Sequence, residues 1–123
     1  MFVTLLPIAM FFAASSCKPE DEIGHKFFIK YEVVPRQADY GQKFTVTFMD
    51  IDGEKQHTAR AYYQNSIGPV KDGFQAYIFP QYPGKYEFAT VRIYVSRDGE
   101  PFALRAKGTK GMQEYFVNAN QWK

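Results

Sequence analysis

From residue 25 onward, apolar and polar positions alternate with a period of two. "HKFFIKYEVV" puts Phe27, Ile29, Tyr31 and Val33 on one face and Phe28, Lys30 and Glu32 on the other. "KFTVTFMD" sets Phe44, Val46 and Phe48 against Thr45 and Thr47. Such alternation, rich in Phe, Val, Ile, Thr and Tyr, predicts strands with one buried face. Asp52-Gly53 predicts a tight turn, because glycine accepts positive φ without steric cost. "KQHTARAYYQ" then reads as the returning strand, and Asn65 to Asp72, with Gly68-Pro69 inside it, reads as a loop.

Asp72-Gly73 leads into "FQAYIFP", with Phe74, Ala76 and Ile78 on one side, and Tyr82-Pro83-Gly84 predicts a further turn. "EFATVRIYVSRDGEPFALRAKG" is the clearest hairpin: Ala89, Val91, Ile93 and Val95 face one way, and Asp98-Gly99 lies at the reversal. A last strand, "QEYFVN", precedes a polar tail and Trp122. About seven short strands with turn signals between them, and no helical periodicity, predict an all-β domain, an antiparallel sandwich or a small barrel. No repeat divides it, so residues 25–123 are expected to form a single domain.

The first sixteen residues break this pattern. "MFVTLLPIAMFFAASS" carries no charge and is almost wholly apolar. It is shorter than the roughly 20 residues a spanning helix needs, and it ends in small residues, as the core of a signal peptide does. The basic segment that ordinarily precedes such a core is missing, which points to a start codon upstream of Met1. Residues 1–16 are therefore expected to be a cleaved signal, and residues 17–24 ("CKPEDEIG") an acidic tether.

Charge and cysteine content narrow the function. The 15 basic and 13 acidic residues leave a net charge of +2. They are interspersed along the chain, unlike the concentrated basic surface of a nucleic-acid binder. Cys17 is the only cysteine, so no intramolecular disulfide and no cysteine-paired metal site can form. The aromatic residues (Phe 12, Tyr 9, Trp 1) must supply the core.

Ala14-Ser15-Ser16-Cys17 resembles the lipobox of bacterial lipoproteins, with Ala14 where leucine is commonest. The resemblance implies cleavage before Cys17, a diacylglycerol on its thiol and an acylated amine. Two or more acyl chains hold a protein stably on a membrane where one does not. The expected location is the bacterial cell envelope, at the outer membrane. Glu20, Asp21 and Glu22 are similar to the acidic tracts that direct some lipoproteins to the cell surface.

The domain resembles the MmpS-type membrane-associated proteins in three places: "KYEVV" (30–34), "FTVTFMDIDGE" (44–54) and "TVRIYVSRDGEPF" (90–102). The Pro-Trp segment of that family's middle is replaced here by "YIFPQYPG" (77–84). This resemblance implies an immunoglobulin-like antiparallel β-sandwich behind a membrane anchor, with an accessory role outside the cytoplasm and no catalytic residues.

Catalytic and metal chemistry find little support. The only histidines are His25, beside the tether, and His57, within a strand. Asp50-Ile51-Asp52-Gly53-Glu54 begins like a calcium loop, but its twelfth position is Ala61 rather than a carboxylate. No catalytic residue, metal or cofactor is expected. Tyr62 or Tyr63, Tyr77, Phe79, Tyr82, Tyr86 and Tyr94 are more aromatic residues than one core can take. Tyr77, Phe79, Tyr82 and Tyr86 ("YIFPQYPGKY") are the candidate binding loop, since tyrosine joins a flat apolar body to a polar tip. The expected function is a lipid-anchored, non-catalytic lipoprotein with an envelope protein as partner. The alternative is a module that uses exposed aromatics to bind a glycan or an apolar small molecule.

Overall fold

A computed structural model describes residues 24–82 and 89–121. The signal segment, Cys17 with its tether, and Tyr86 lie outside the described residues. The chain forms β1 (Phe27–Pro35), β2 (Phe44–Asp50), β3 (Gly53–Ala59), β4 (Tyr63–Val70), β5 (Gln75–Gln81), β6 (Ala89–Arg97), β7 (Ala103–Gly108) and β8 (Gln113–Phe116). Short 3-10 turns follow β1 at Gln37–Asp39 and β8 at Ala119–Gln121. All pairings are antiparallel, in two four-stranded sheets ordered β4-β1-β6-β7 and β3-β2-β5-β8. The domain is an all-β, immunoglobulin-like sandwich. β1 beside β4 and β2 beside β5 reproduce the B–E and C–F pairings of that architecture. On the far side of β1, β6 and β7 take the place of its first strand.

The two sheets meet through the apolar set that the alternation marks. Phe27, Ile29, Tyr31 and Val33 of β1, Val91, Ile93 and Val95 of β6, and Val46, Ala76 and Ile78 from the other sheet are all essentially inaccessible. Each large apolar side chain buried this way contributes about 1.5–3 kcal/mol. The one polar atom deep among them is satisfied: the Tyr31 hydroxyl donates to the Met49 carbonyl at 2.7 Å. Burial pushes that phenol well above its usual range.

The structure corrects the reading of residues 55–72. "KQHTARAYYQ" is not one strand; it breaks at Arg60–Tyr62, where the chain crosses from β3 in one sheet to β4 in the other. Asn65 to Val70 is strand rather than loop, which raises the count among the described residues to eight. Gly68-Pro69 is tolerated because β4 is an edge strand and its register against β1 slips there: Ile67 lies opposite Ile29 and Val70 opposite Phe27. The Gly68–Pro69 peptide is cis.

Gly68 has φ +141°, and a Cβ there would stand 2.6 Å from Cδ2 of Phe28 and 3.0 Å from the Phe27 carbonyl oxygen. Gly68→Ala is therefore expected to destabilise the domain by about 1–3 kcal/mol. A urea midpoint equal to that of the unsubstituted protein would refute this. Tyr31→Phe keeps the ring but removes the donor from Met49, and is expected to cost about 1–2 kcal/mol in the same measurement.

Candidate binding face

Because β1 pairs on both sides, its outward residues have neighbours from two strands. Glu32 lies opposite Arg92 of β6 and Gln64 of β4; Lys30 lies opposite Tyr94 and Ser66. Three donors converge on Glu32. Arg92 Nη1 and the Tyr94 hydroxyl each stand 2.9 Å from its Oε1, and the Tyr62 hydroxyl 2.8 Å from its Oε2. Gln64 Oε1 lies 2.6 Å from the same Tyr62 hydroxyl, as a second acceptor for its proton. Burial works against ionisation of Glu32, but the hydrogen bonds from Tyr62, Arg92 and Tyr94 outweigh it and hold the carboxyl below its usual range. In turn, partial burial and the Glu32 carboxylate push the Tyr62 phenol up to about 12 and raise that of Tyr94.

The face has an apolar half beside this charged one. The Lys30 ammonium sits 4.5 Å from the centre of the Tyr94 ring and 5.2 Å from that of Phe102, within cation–π range. Beyond them lies an open hollow of about 520 Å³ walled by Phe28, Phe102 and Ile67, with Gly68 and Gly99 offering no side chain to fill it. Tyr62 is 49% exposed, Phe102 38% and Leu104 48%. The face thus sets exposed rings beside a fixed Glu32–Arg92 ion pair.

Sequence reasoning centred the site elsewhere. Tyr77 and Phe79 lie on β5 and share the outward face of the opposite sheet, both half-buried. The Tyr77 hydroxyl donates to Glu54, and Phe79 lies opposite Thr47. Tyr82 packs against the core. These three thus belong to a strand and its end rather than a loop. Of the surplus tyrosines, Tyr63 is a core residue, whereas Tyr62 and Tyr94 join the Glu32 cluster. Glu32, Arg92, Lys30 and Phe102 escaped sequence reasoning. For Glu32, Lys30 and Arg92 the signal was the outward half of the alternation in β1 and β6, whose pairing joins Glu32 and Arg92, 60 positions apart, and leaves no local trace; Phe102 lies between β6 and β7.

The histidines are engaged in other ways. His25 Nδ1 stands 2.7 Å from Oδ2 of Asp98, whose Oδ1 accepts the Lys26 amide. His57 lies against Tyr63 with ring centres 5.2 Å apart and planes tilted by 35°. Among the described residues, no three His, Cys, Asp or Glu side chains gather as metal ligands would. No described helix is long and apolar enough to cross a membrane. No family model matches the chain, and no curated protein is significantly similar to it.

The Glu32 cluster makes a pH prediction. Its folded-state pKa is lowered, so at acid pH the unfolded chain binds the proton more readily. The stabilisation is complete above the ordinary glutamate value of 4.5 and is lost as pH falls through the lowered one. Glu32→Gln is expected to cost about 1–3 kcal/mol at neutral pH and to flatten this acid limb of the stability profile. Denaturant midpoints between about pH 3 and pH 7 measure both, and an unaltered acid limb in the variant would count against the cluster.

Proposed function

We propose that the protein is a lipid-anchored lipoprotein of the bacterial cell envelope, held at the outer membrane, whose sandwich is a non-catalytic accessory domain that engages an envelope protein. The observation that carries this reading is the uncharged run Met1–Ser16 ending at the chain's only cysteine. Seven peptide steps separate Cys17 from Gly24, where the described domain begins, and an extended chain of that length reaches at most about 25 Å. Acylation of Cys17 would therefore keep the sandwich close to the membrane and limit its partners to molecules at that surface. The likeness of its strands and turns to MmpS-type proteins favours an accessory role for the anchored domain. The face around Glu32 is the surface best suited to the partner, since exposed Tyr and Arg side chains are enriched where proteins meet.

The exposed rings of Tyr62 and Phe102 beside the Glu32–Arg92 pair favour a second reading. Aromatic faces stack on the apolar side of a sugar while carboxylate and guanidinium groups bond its hydroxyls. On this reading the same face takes a glycan or an apolar small molecule.

The anchor is tested by the intact mass of protein recovered from membranes, which is expected to show acyl chains on a chain beginning at Cys17. Cys17→Ser should pass to the soluble fraction; its retention on the membrane would overturn the lipoprotein reading. Pull-down from envelope extracts with the native protein and with a Tyr62→Ala/Phe102→Ala variant separates the two functions. One stoichiometric protein lost in the variant supports the accessory role. A glycan array on which the native protein is blank removes the second reading.

A further inference from the structure

Four strands border the two sheets, and three of them are poor templates for further pairing. β4 carries Pro69 and a register slip, β7 is bulged against β6, and β8 has four residues. The fourth, β3, runs seven residues in unbroken register with β2, contains no proline and is exposed along nearly its whole length. No described strand pairs with its other side. A lysine is a common guard against edge pairing, yet the Lys55 ammonium is drawn back to the hairpin tip, 3.0 Å from Asp50 and 2.9 Å from Asp52.

The ladder fixes which backbone groups this edge offers. Val46 of β2 lies opposite both Pro80 of β5 and His57 of β3. Pro80 has no N–H, and a proline in a strand turns its nitrogen away from the neighbouring ladder. Val46 therefore directs its N–H and C=O at His57. Antiparallel hydrogen bonding alternates along a strand, so Glu54, Gln56 and Thr58 direct theirs outward.

We propose that β3 is a self-association edge, where a second copy of this chain pairs antiparallel about a two-fold axis through Gln56 and joins the two sheets into one of eight strands. This register sets Gln56 opposite Gln56, Glu54 opposite Thr58 and Lys55 opposite His57. All the outward N–H and C=O groups then meet in hydrogen-bonded pairs, and no like charges face each other. Beyond the strand ends it directs Asp52 towards Arg60 of the second copy. A shift of one residue would set outward backbone groups against inward ones. An axis through Glu54 would oppose two carboxylates, and one through Thr58 would run off the strand end at Ala59.

The test is the oligomeric state of the full chain in detergent, measured by density-matched analytical ultracentrifugation. Twice the monomer protein mass is expected for the native protein. Gln56→Pro should yield monomers that still unfold cooperatively, because the N–H it removes lies outside the β2–β3 ladder and only the long Gln56–Thr47 side-chain bond of 3.4 Å is lost with it. In parallel, copper-phenanthroline oxidation of Gln56→Cys should yield a covalent dimer, since Cα atoms of such a pair stand about 5.5 Å apart. Thr58→Cys, whose two copies lie four residues out of step, should not. A monomeric native protein, a Gln56→Pro variant that stays dimeric, or cross-linking at Thr58 without cross-linking at Gln56 would overturn the proposal.

Discussion

The pairing of β1 with β6 is the constraint on which the rest of the domain depends. Nine consecutive residue pairs, from Phe27 with Arg97 to Pro35 with Ala89, join chain segments some 60 positions apart. Closing so long a loop costs conformational entropy. What offsets that cost is the alternating inward set of both strands, buried to near zero exposure. The same alternation turns Glu32, Arg92, Lys30 and Tyr94 outward as neighbours, so core and candidate face are two sides of one pairing.

Polar groups are placed in the fold with the same economy. The Tyr31 hydroxyl crosses between the sheets to the Met49 carbonyl and so costs the core no unsatisfied donor. Three donors hold the Glu32 carboxyl below its usual range, against the desolvation that by itself would raise it. An outward face whose side chains are already fixed by one another loses little entropy when a partner arrives. At the opposite edge the Lys55 interactions with Asp50 and Asp52 have a different consequence, since they gather charge at a hairpin tip, and from Gln56 to Ala59 the strand behind it carries no Asp, Glu, Lys or Arg.

Much of the architecture was legible in the sequence. β1, β2, β5 and the β6–β7 hairpin follow from period-two alternation, and the Asp-Gly turns from the need for positive φ at Gly53, Gly73 and Gly99. The region from Lys55 to Val70 was not. Its alternation runs on without interruption through Arg60–Tyr62, although the chain changes sheets there. Gly68-Pro69 carries the local signature of a loop, although an edge strand with a register slip accepts it. Local pattern reports the backbone preference of a residue; it does not report which side of a strand lacks a neighbour.

By itself, then, the sequence determined the all-β class, most strand positions, the inward apolar set and the lone cysteine after an uncharged run. All of these depend on residues close together in the chain, whose side-chain direction and turn geometry are set locally. Tertiary structure alone decided that Tyr63 is core while Tyr62 is surface, that Tyr77 and Phe79 lie across the sandwich from Tyr94, and that Glu32 is the centre of the candidate face. It also left β3, rather than β4, as the clean edge. Those outcomes depend on strand order, which is fixed by the burial of all eight strands together and leaves no mark at any one position.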